Sequence, residues 1–202
     1  MTKTVRTTSP WARIFTDDWL HPIPLREAFG NDHPIEIDLG SGKGRFLLAR
    51  AAAHRDTNFL GIERMLRRIR KVSRKIERKD LRNVRLLRME AYYAVKYLIP
   101  PESISTYYIF FPDPWPKKRH HDHRVFSHSF LDAVHLTLER TGVIHVATDH
   151  LPYFDEINQL LQPDDRFKET APFVPAENEQ TDFERYYATH TRIGRCSFMK
   201  KE

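Results

Sequence analysis

The chain has 202 residues, 40% hydrophobic and 30% charged, which suits one globular domain able to bury a full core and excludes an intrinsically disordered chain. Lys and Arg number 33 against 27 Asp and Glu, a formal net charge of +6, which favours a polyanionic partner such as nucleic acid.

Residues 1–30 are rich in Trp, Pro and charge and read as an arm with a short helix from Asp17 to Ala28. Residues 31–202 read as one domain in which strand and helix patterns alternate. Ile35–Leu39 is a short strand that ends in a Gly-rich turn, and 46–53 is a helix of good helix formers. Asn58–Ile62 is a second strand. From Leu66 to Lys79 runs a strongly basic helix with apolar residues at Leu66, Ile69, Val72 and Ile76, which is helical spacing. A third strand spans Val84 to Met89 and a third helix Ala91 to Leu98. Ser105 to Phe111 is a more apolar fourth strand. Beyond a polar loop come a helix from Phe126 to Leu138, a fifth strand from Gly142 to Thr148, and a helix from Leu151 to Leu161 with Pro in its first turn. The last third is less regular and closes with a strand from Arg192 to Met199.

This alternation predicts an α/β fold: a mostly parallel sheet with helices on both faces. In such sheets the ligand lies beyond the carboxyl ends of the strands. There each of the five strands meets an acidic residue: Asp38, Glu63, Glu90, Asp113 and Asp149.

The turn Asp38-Leu-Gly40-Ser-Gly42-Lys-Gly44 lets a ligand approach the main chain closely. A dinucleotide fingerprint needs G-x-G-x-x-G, whereas this turn reads G-x-G-x-G with Arg45 in the last position. Asp38 would repel a pyrophosphate and attract the ammonium and sulfonium of S-adenosylmethionine. Glu63 is placed to accept hydrogen bonds from ribose hydroxyls, a feature both cofactors use. Glu36 lies two residues before Asp38 on the same face; Asp38 is favoured because it is nearer the turn.

The segment Phe111-Pro-Asp-Pro-Trp-Pro-Lys-Lys-Arg-His-His-Asp-His-Arg124 has three prolines that hold Asp113 and Trp115 with little conformational freedom. The basic run after Pro116 suits a phosphate backbone. A stiff acidic and aromatic corner joined to a basic strip suits a base inserted beside a clamped strand. His120, His121, His123 and His128 have no spacing that fixes a ligand geometry, so no metal is expected.

Pro112-Asp-Pro-Trp-Pro-Lys-Lys-Arg-His120 resembles the signature of the bacterial tRNA (guanine-N7-)-methyltransferases, and the likeness runs from about Ile35 to Phe198. Asp38–Gly44 is similar to that family's first motif, Gly61–Glu63 to its second, Ala147–Asp149 to its strand-five motif, and Thr181–Glu184 to its Thr-x-Phe-Glu motif. The resemblance implies a single Rossmann-like class I methyltransferase domain, S-adenosylmethionine as donor and the variable loop of tRNA as target. It implies donor contacts at Asp38, Gly40, Glu63, Glu90 and Asp113, with Asp113 also the active-site residue. Where Glu90 stands, the family more often has Asp or Asn. Substrate contacts are implied at Lys117, Asp149, Thr181, Asp182, Phe183 and Glu184. Asp113 has two readings, stabilising charge on guanine or selecting its Watson–Crick edge. Trp115 likewise reads as a stacking platform or as the hydrophobic anchor of its loop.

The rival readings are a nicotinamide-dependent oxidoreductase on a similar sheet, a non-catalytic RNA-binding module, and a methyltransferase for another RNA or another base atom. Cys196 is the only cysteine, so neither an internal disulfide nor a cysteine-based metal site is expected. No signal peptide and no apolar run near ~18 residues is visible, so the expected setting is the cytoplasm with no membrane contact and no obligate protein partner.

Overall fold

A computed structural model describes residues 6–8, 12–16, 18–187 and 191–201. In chain order the strands are β1 (Arg6–Thr8), β2 (Arg13–Phe15), β3 (Ile35–Leu39), β4 (Asn58–Ile62), β5 (Val84–Leu87), β6 (Ile104–Phe110), β7 (Leu138–Thr148), β8 (Phe167–Thr170) and β9 (Gly194–Lys200). They join in one sheet of order β1-β2-β5-β4-β3-β6-β7-β9-β8. From β2 to β7 all neighbours are parallel; β1, β9 and β8 pair antiparallel at the two edges. The chain moves outward from β3 in both directions, so the strand order reverses between β3 and β6, where ligands bind in open α/β sheets.

The helices are α1 (Leu25–Phe29), α2 (Arg45–Ala53), α3 (Leu66–Arg78), α4 (Ala91–Tyr93), α5 (His128–Thr137), α6 (Leu151–Leu161) and α7 (Asp182–Tyr187). The α4 turn continues as a π-helix over Ala94–Leu98, so the helix expected from Ala91 to Leu98 is present with its second part in π geometry. Strand periodicity separates two cores. Ile35, Ile37 and Leu39 of β3 face α1, the π-helix, α5 and α6. On the opposite face Leu47, Ala51, Ile69, Val72 and Ile76 bring α2 and α3 onto Phe59, Val84 and Leu86. Each fully buried Leu, Ile or Phe contributes roughly 1.5–3 kcal/mol.

Four expectations need correction. Asp17, where a helix was expected to start, lies outside the described residues, and the helix itself is only Leu25–Phe29. Pro22 and Pro24 bias His21 and Ile23 away from the α region, so helix begins only after Pro24. Residues 12–30 are also more than an arm: β2 extends the sheet beside β5, and Ala12, Ile14, Ile23, Leu25, Ala28 and Phe29 are buried. The fifth strand starts at Leu138 rather than Gly142, with an irregularity in its pairing between Ile104 and Thr106 of β6. The last strand begins at Gly194, two residues later than expected.

Candidate active site

The turn from β3 into α2 is tied down from inside. Gly40 and Ser41 donate their amides to the Ile62 carbonyl at 2.8 and 3.1 Å, and Gly44 donates to Ser41 at 2.8 Å. The Gly42 amide donates to Glu63 Oε2 at 3.2 Å. Four amides of the turn therefore already have acceptors, and two carboxylates lie against it. It offers no anion cradle of the kind a pyrophosphate requires. Gly44 has φ +72°, and a Cβ there would sit 2.6 Å from Val72 Cγ1 of α3. Only glycine allows both that backbone and that approach.

Asp38 is 6% exposed, and no donor among the described residues reaches its carboxylate. Burial first, then the negative charge of Glu63, raise its pKa to about 7. Glu36 differs: Tyr108 Oη donates to its Oε2 at 3.0 Å, and Arg50 lies 3.8 Å away. Arg50 also pairs with Glu179 at 3.4 Å. Of the two carboxylates on this face, Asp38 is the one without a protein partner.

Glu63 is also buried. Its Oε1 accepts from the Met65 amide at 2.7 Å, and Arg68 of α3 donates to Oε2 at 3.0 Å. Arg68, five residues on, has no distinguishing mark within a basic run, and sequence reasoning missed it. Glu90 caps α4: its two oxygens accept from the Tyr92 and Tyr93 amides at 3.0 and 2.8 Å.

Gly40, Glu63, Glu90 and Asp113 line one cavity of about 910 Å³ over the carboxyl ends of β3, β4 and β6. Its walls also include Arg64, Met65, Arg68, Met89, Tyr92, Trp115, His121 and His123. Asp38 is not among the residues that line this cavity, although its chain neighbours Leu39 and Gly40 are. Asp113 is exposed, and its carboxylate has no partner among the described residues.

The Pro-rich loop leaves β6 under strain. Phe111 and Trp115 have φ of +52° and +42°, in the left-handed region that costs such residues of order 1–3 kcal/mol. Arg124 holds the loop: Nε donates to the Pro114 carbonyl at 2.7 Å and Nη2 to the Trp115 carbonyl at 3.4 Å. The same guanidinium pairs with Glu156 of α6 and lies 4.7 Å from the Tyr153 ring centre. From sequence, Arg124 was only the end of a basic strip. His120 and His123 pack against Trp115, with ring centres 5.8 and 5.0 Å away. Among the described residues, no group of three His, Cys, Asp or Glu side chains could hold a metal ion.

The residues expected to touch substrate do not line the cavity. Lys117 is exposed on the Pro-rich loop, and Asp149 is half-buried just after β7. Thr181 and Glu184 bind each other: the Thr181 amide donates to Glu184 Oε2 at 2.7 Å, and the Glu184 amide donates to Thr181 Oγ1 at 3.0 Å. This is a capping box, and Glu184, 1% exposed, also pairs with Arg195. Asp182 is exposed. Phe183 packs on Phe111, ring centres 4.9 Å apart, and so links α7 to the root of the Pro-rich loop.

A family profile described as "Putative methyltransferase" matches residues 32–192. Several relatives carry the name tRNA (guanine-N(7)-)-methyltransferase. That of Halorhodospira halophila is 37% identical over 168 residues, covering 81% of this chain and 73% of its own. That of Sodalis glossinidius is 32% identical over 180 residues, covering 87% and 75%. The Thermotoga maritima relative is 34% identical over 179 residues, and this chain spans 56% of its length. Among solved structures, the 16S rRNA methyltransferase KamB superposes with a TM-score of 0.66 at 13% identity, covering 90% of this chain and 95% of its own. The aminoglycoside resistance methyltransferase NpmB1 gives 0.62 at 18%, covering 93% and 95%. At such identities these two establish the class I methyltransferase fold and nothing more.

Proposed function

The chain belongs to the tRNA (guanine-N7-)-methyltransferase family, and from that premise we propose that it methylates N7 of a guanine in the variable loop of tRNA, with S-adenosylmethionine as donor. The observation that carries this reading is the pairing, at one strand crossover, of a buried carboxylate without a protein donor and an exposed carboxylate on a proline-stiffened corner. Asp38 is buried next to Leu39 and Gly40 of the cavity lining, and Asp113 lines the cavity itself.

The residues present fit the donor. Asp38 is the remaining acceptor for its ammonium, Gly40 brings the backbone close, and Glu63 is placed for its ribose. Arg68 already holds one oxygen of Glu63, so the ribose must share that carboxylate or displace the guanidinium. Glu90 keeps free lone pairs beyond its capping bonds. When bound, the donor supplies an electrophilic methyl group. Guanine N7 carries an in-plane lone pair at neutral pH and needs no general base, so the protein's task is alignment and electrostatics. The purine gains positive charge during transfer, which the Asp113 carboxylate opposes with fixed negative charge.

Lys117, Asp149, Asp182 and Phe183 lie outside the donor cavity, where a tRNA body would rest. Thr181 and Glu184 serve that surface by shaping it. No helix among the described residues is long and apolar enough to cross a membrane; the cytoplasm, where tRNA is modified, is the proposed setting. The test is to incubate the protein with bulk tRNA and a methyl-labelled donor and map the modified nucleotide. Label on a variable-loop guanine N7 is the expected result; label on another atom or another RNA would overturn the assignment.

A further inference from the structure

Helix α3 carries more positive charge than the fold needs. Its buried stripe is Ile69, Val72, Ser73 and Ile76, which packs on β4 and β5. The opposite face exposes Arg67, Arg70, Lys71, Arg74 and Arg78; the pairs 67/70, 67/71, 70/74, 71/74 and 74/78 are three or four residues apart, so the five share one face of the helix. None of these five makes an ion pair among the described residues. The helix has a single carboxylate, Glu77, which accepts from Ser73 at 3.5 Å. Like charges at this spacing destabilise a helix, so the fold carries a cost that its own side chains do not offset.

This face is also fixed in place relative to the donor turn. Val72 fills the space beside Gly44, and Lys75 Nζ donates to the Lys43 carbonyl at 2.9 Å. At its amino end, Arg64 and Arg68 stand on the cavity wall. A helix of 13 residues extends about 20 Å from that wall.

We propose that the exposed face of α3 is a docking rail for the phosphate backbone of the RNA whose base enters the cavity. This rests on the function proposed above and adds a second contact surface to it, outside the Pro-rich loop. A flexible lysine tail would supply charge without position. A charged face held against the donor turn fixes how far the backbone lies from the methyl group, so it sets register as well as affinity.

The test uses the full chain, bulk tRNA as probe, and a variant with Arg67→Gln, Arg70→Gln, Lys71→Gln and Arg74→Gln together. Each lost phosphate contact lowers the log–log salt slope of binding by ~0.7–0.9, so four lower it by about three. The variant should melt at or above the wild-type temperature, because like charges have been removed, and its donor affinity should be unchanged. A second variant, Arg67→Lys with Arg70→Lys and Arg74→Lys, should keep the wild-type slope. A slope change below about one in the Gln variant, or a lost slope in the Lys variant, overturns the proposal. So does loss of binding to anionic phosphatidylglycerol vesicles with tRNA binding intact. If the wild type methylates no guanine N7 yet binds tRNA through a slope that depends on α3, the proposed reaction fails and the rail stands.

Discussion

The Nε of Arg124 donates to the carbonyl of Pro114 at 2.7 Å, so the corner that presents Asp113 is held from behind by a side chain ten residues further along. Prolines restrict φ within the loop, but they do not fix the loop against the body of the protein. Arg124 does so by bridging Pro114 and Trp115 to Glu156 and Tyr153 of α6.

Arg124→Ala should therefore act on position more than on binding. Two loop carbonyls lose their donor and a strained Trp115 backbone loses its restraint, which costs roughly 1–3 kcal/mol of stability. Single-turnover rate at saturating substrates should fall about 100-fold, the scale of a 1 Å misplacement, while donor affinity stays near wild type. Arg124→Lys should recover part of the rate by keeping one bond. Calorimetric titration of the donor beside single-turnover kinetics checks this; equal losses in both would show general unfolding instead.

The parallel centre of the fold is legible in the chain because it obeys simple patterns. Ile35–Leu39 alternates apolar with acidic residues and Asn58–Ile62 is a largely apolar run, and the structure keeps both boundaries. What escaped reading is short. Strands β1, β2 and β8 have three or four residues, and β8 buries only Phe167. Strand β2 is defined by pairing with Leu86 and Leu87, a contact some 70 residues away that no local period announces. The Thr181-x-x-Glu184 spacing carries a local signal of its own. It is a helix N-terminus pattern, and its partner Arg195 lies beyond the reach of local sequence.

Thr181→Ala should accordingly cost about 1 kcal/mol as a lost cap, and Glu184→Gln more, since Arg195 would lose its buried ion-pair partner. Both variants should melt lower. At a temperature where they remain folded, their tRNA affinity should be nearly that of wild type. The exposed neighbour Asp182 should show the reverse, with an unchanged melt and altered tRNA affinity on Asp182→Ala. Melting curves paired with tRNA titrations decide the matter; weaker tRNA binding by a fully folded Thr181 variant would return that residue to the contact surface.

Donor affinity should depend on pH through Asp38. Burial and the nearby Glu63 raise its pKa to about 7, so below that pH the empty site holds a neutral acid. A cationic ligand favours the ionised form, hence affinity should rise with pH and level off above about 7, with a roughly tenfold loss for each unit below it. Stability runs the other way. The folded pKa lies above the ordinary 3.8, so the contribution of the protonated group is full below pH 4 and is lost as pH rises through 7. Asp38→Asn should flatten the affinity profile at a low value and raise the melting temperature at pH 8. A donor affinity independent of pH between 5.5 and 8 in the wild type would rule out Asp38 as the ammonium acceptor.

Asp113→Asn should lower turnover far more than it lowers affinity for either substrate. The carboxylate is exposed on the cavity wall with no partner among the described residues, so its charge is available to whatever the cavity receives. Asn keeps the shape and one acceptor while removing the charge, and Arg124 continues to hold the loop. If the carboxylate opposes the positive charge that guanine gains, the loss belongs to the chemical step, at ~2–4 kcal/mol for one such electrostatic contact. That corresponds to a rate lower by about 30-fold to 1,000-fold. If Asp113 instead accepts from the guanine N1 and exocyclic amine, the Asn variant should chiefly lose discrimination between guanine and adenine. Single-turnover rates on wild-type tRNA and on a guanine-to-adenine variant separate the two roles. A wild-type rate with unaltered base choice would remove Asp113 from the active site and leave the Pro-rich loop a purely structural corner.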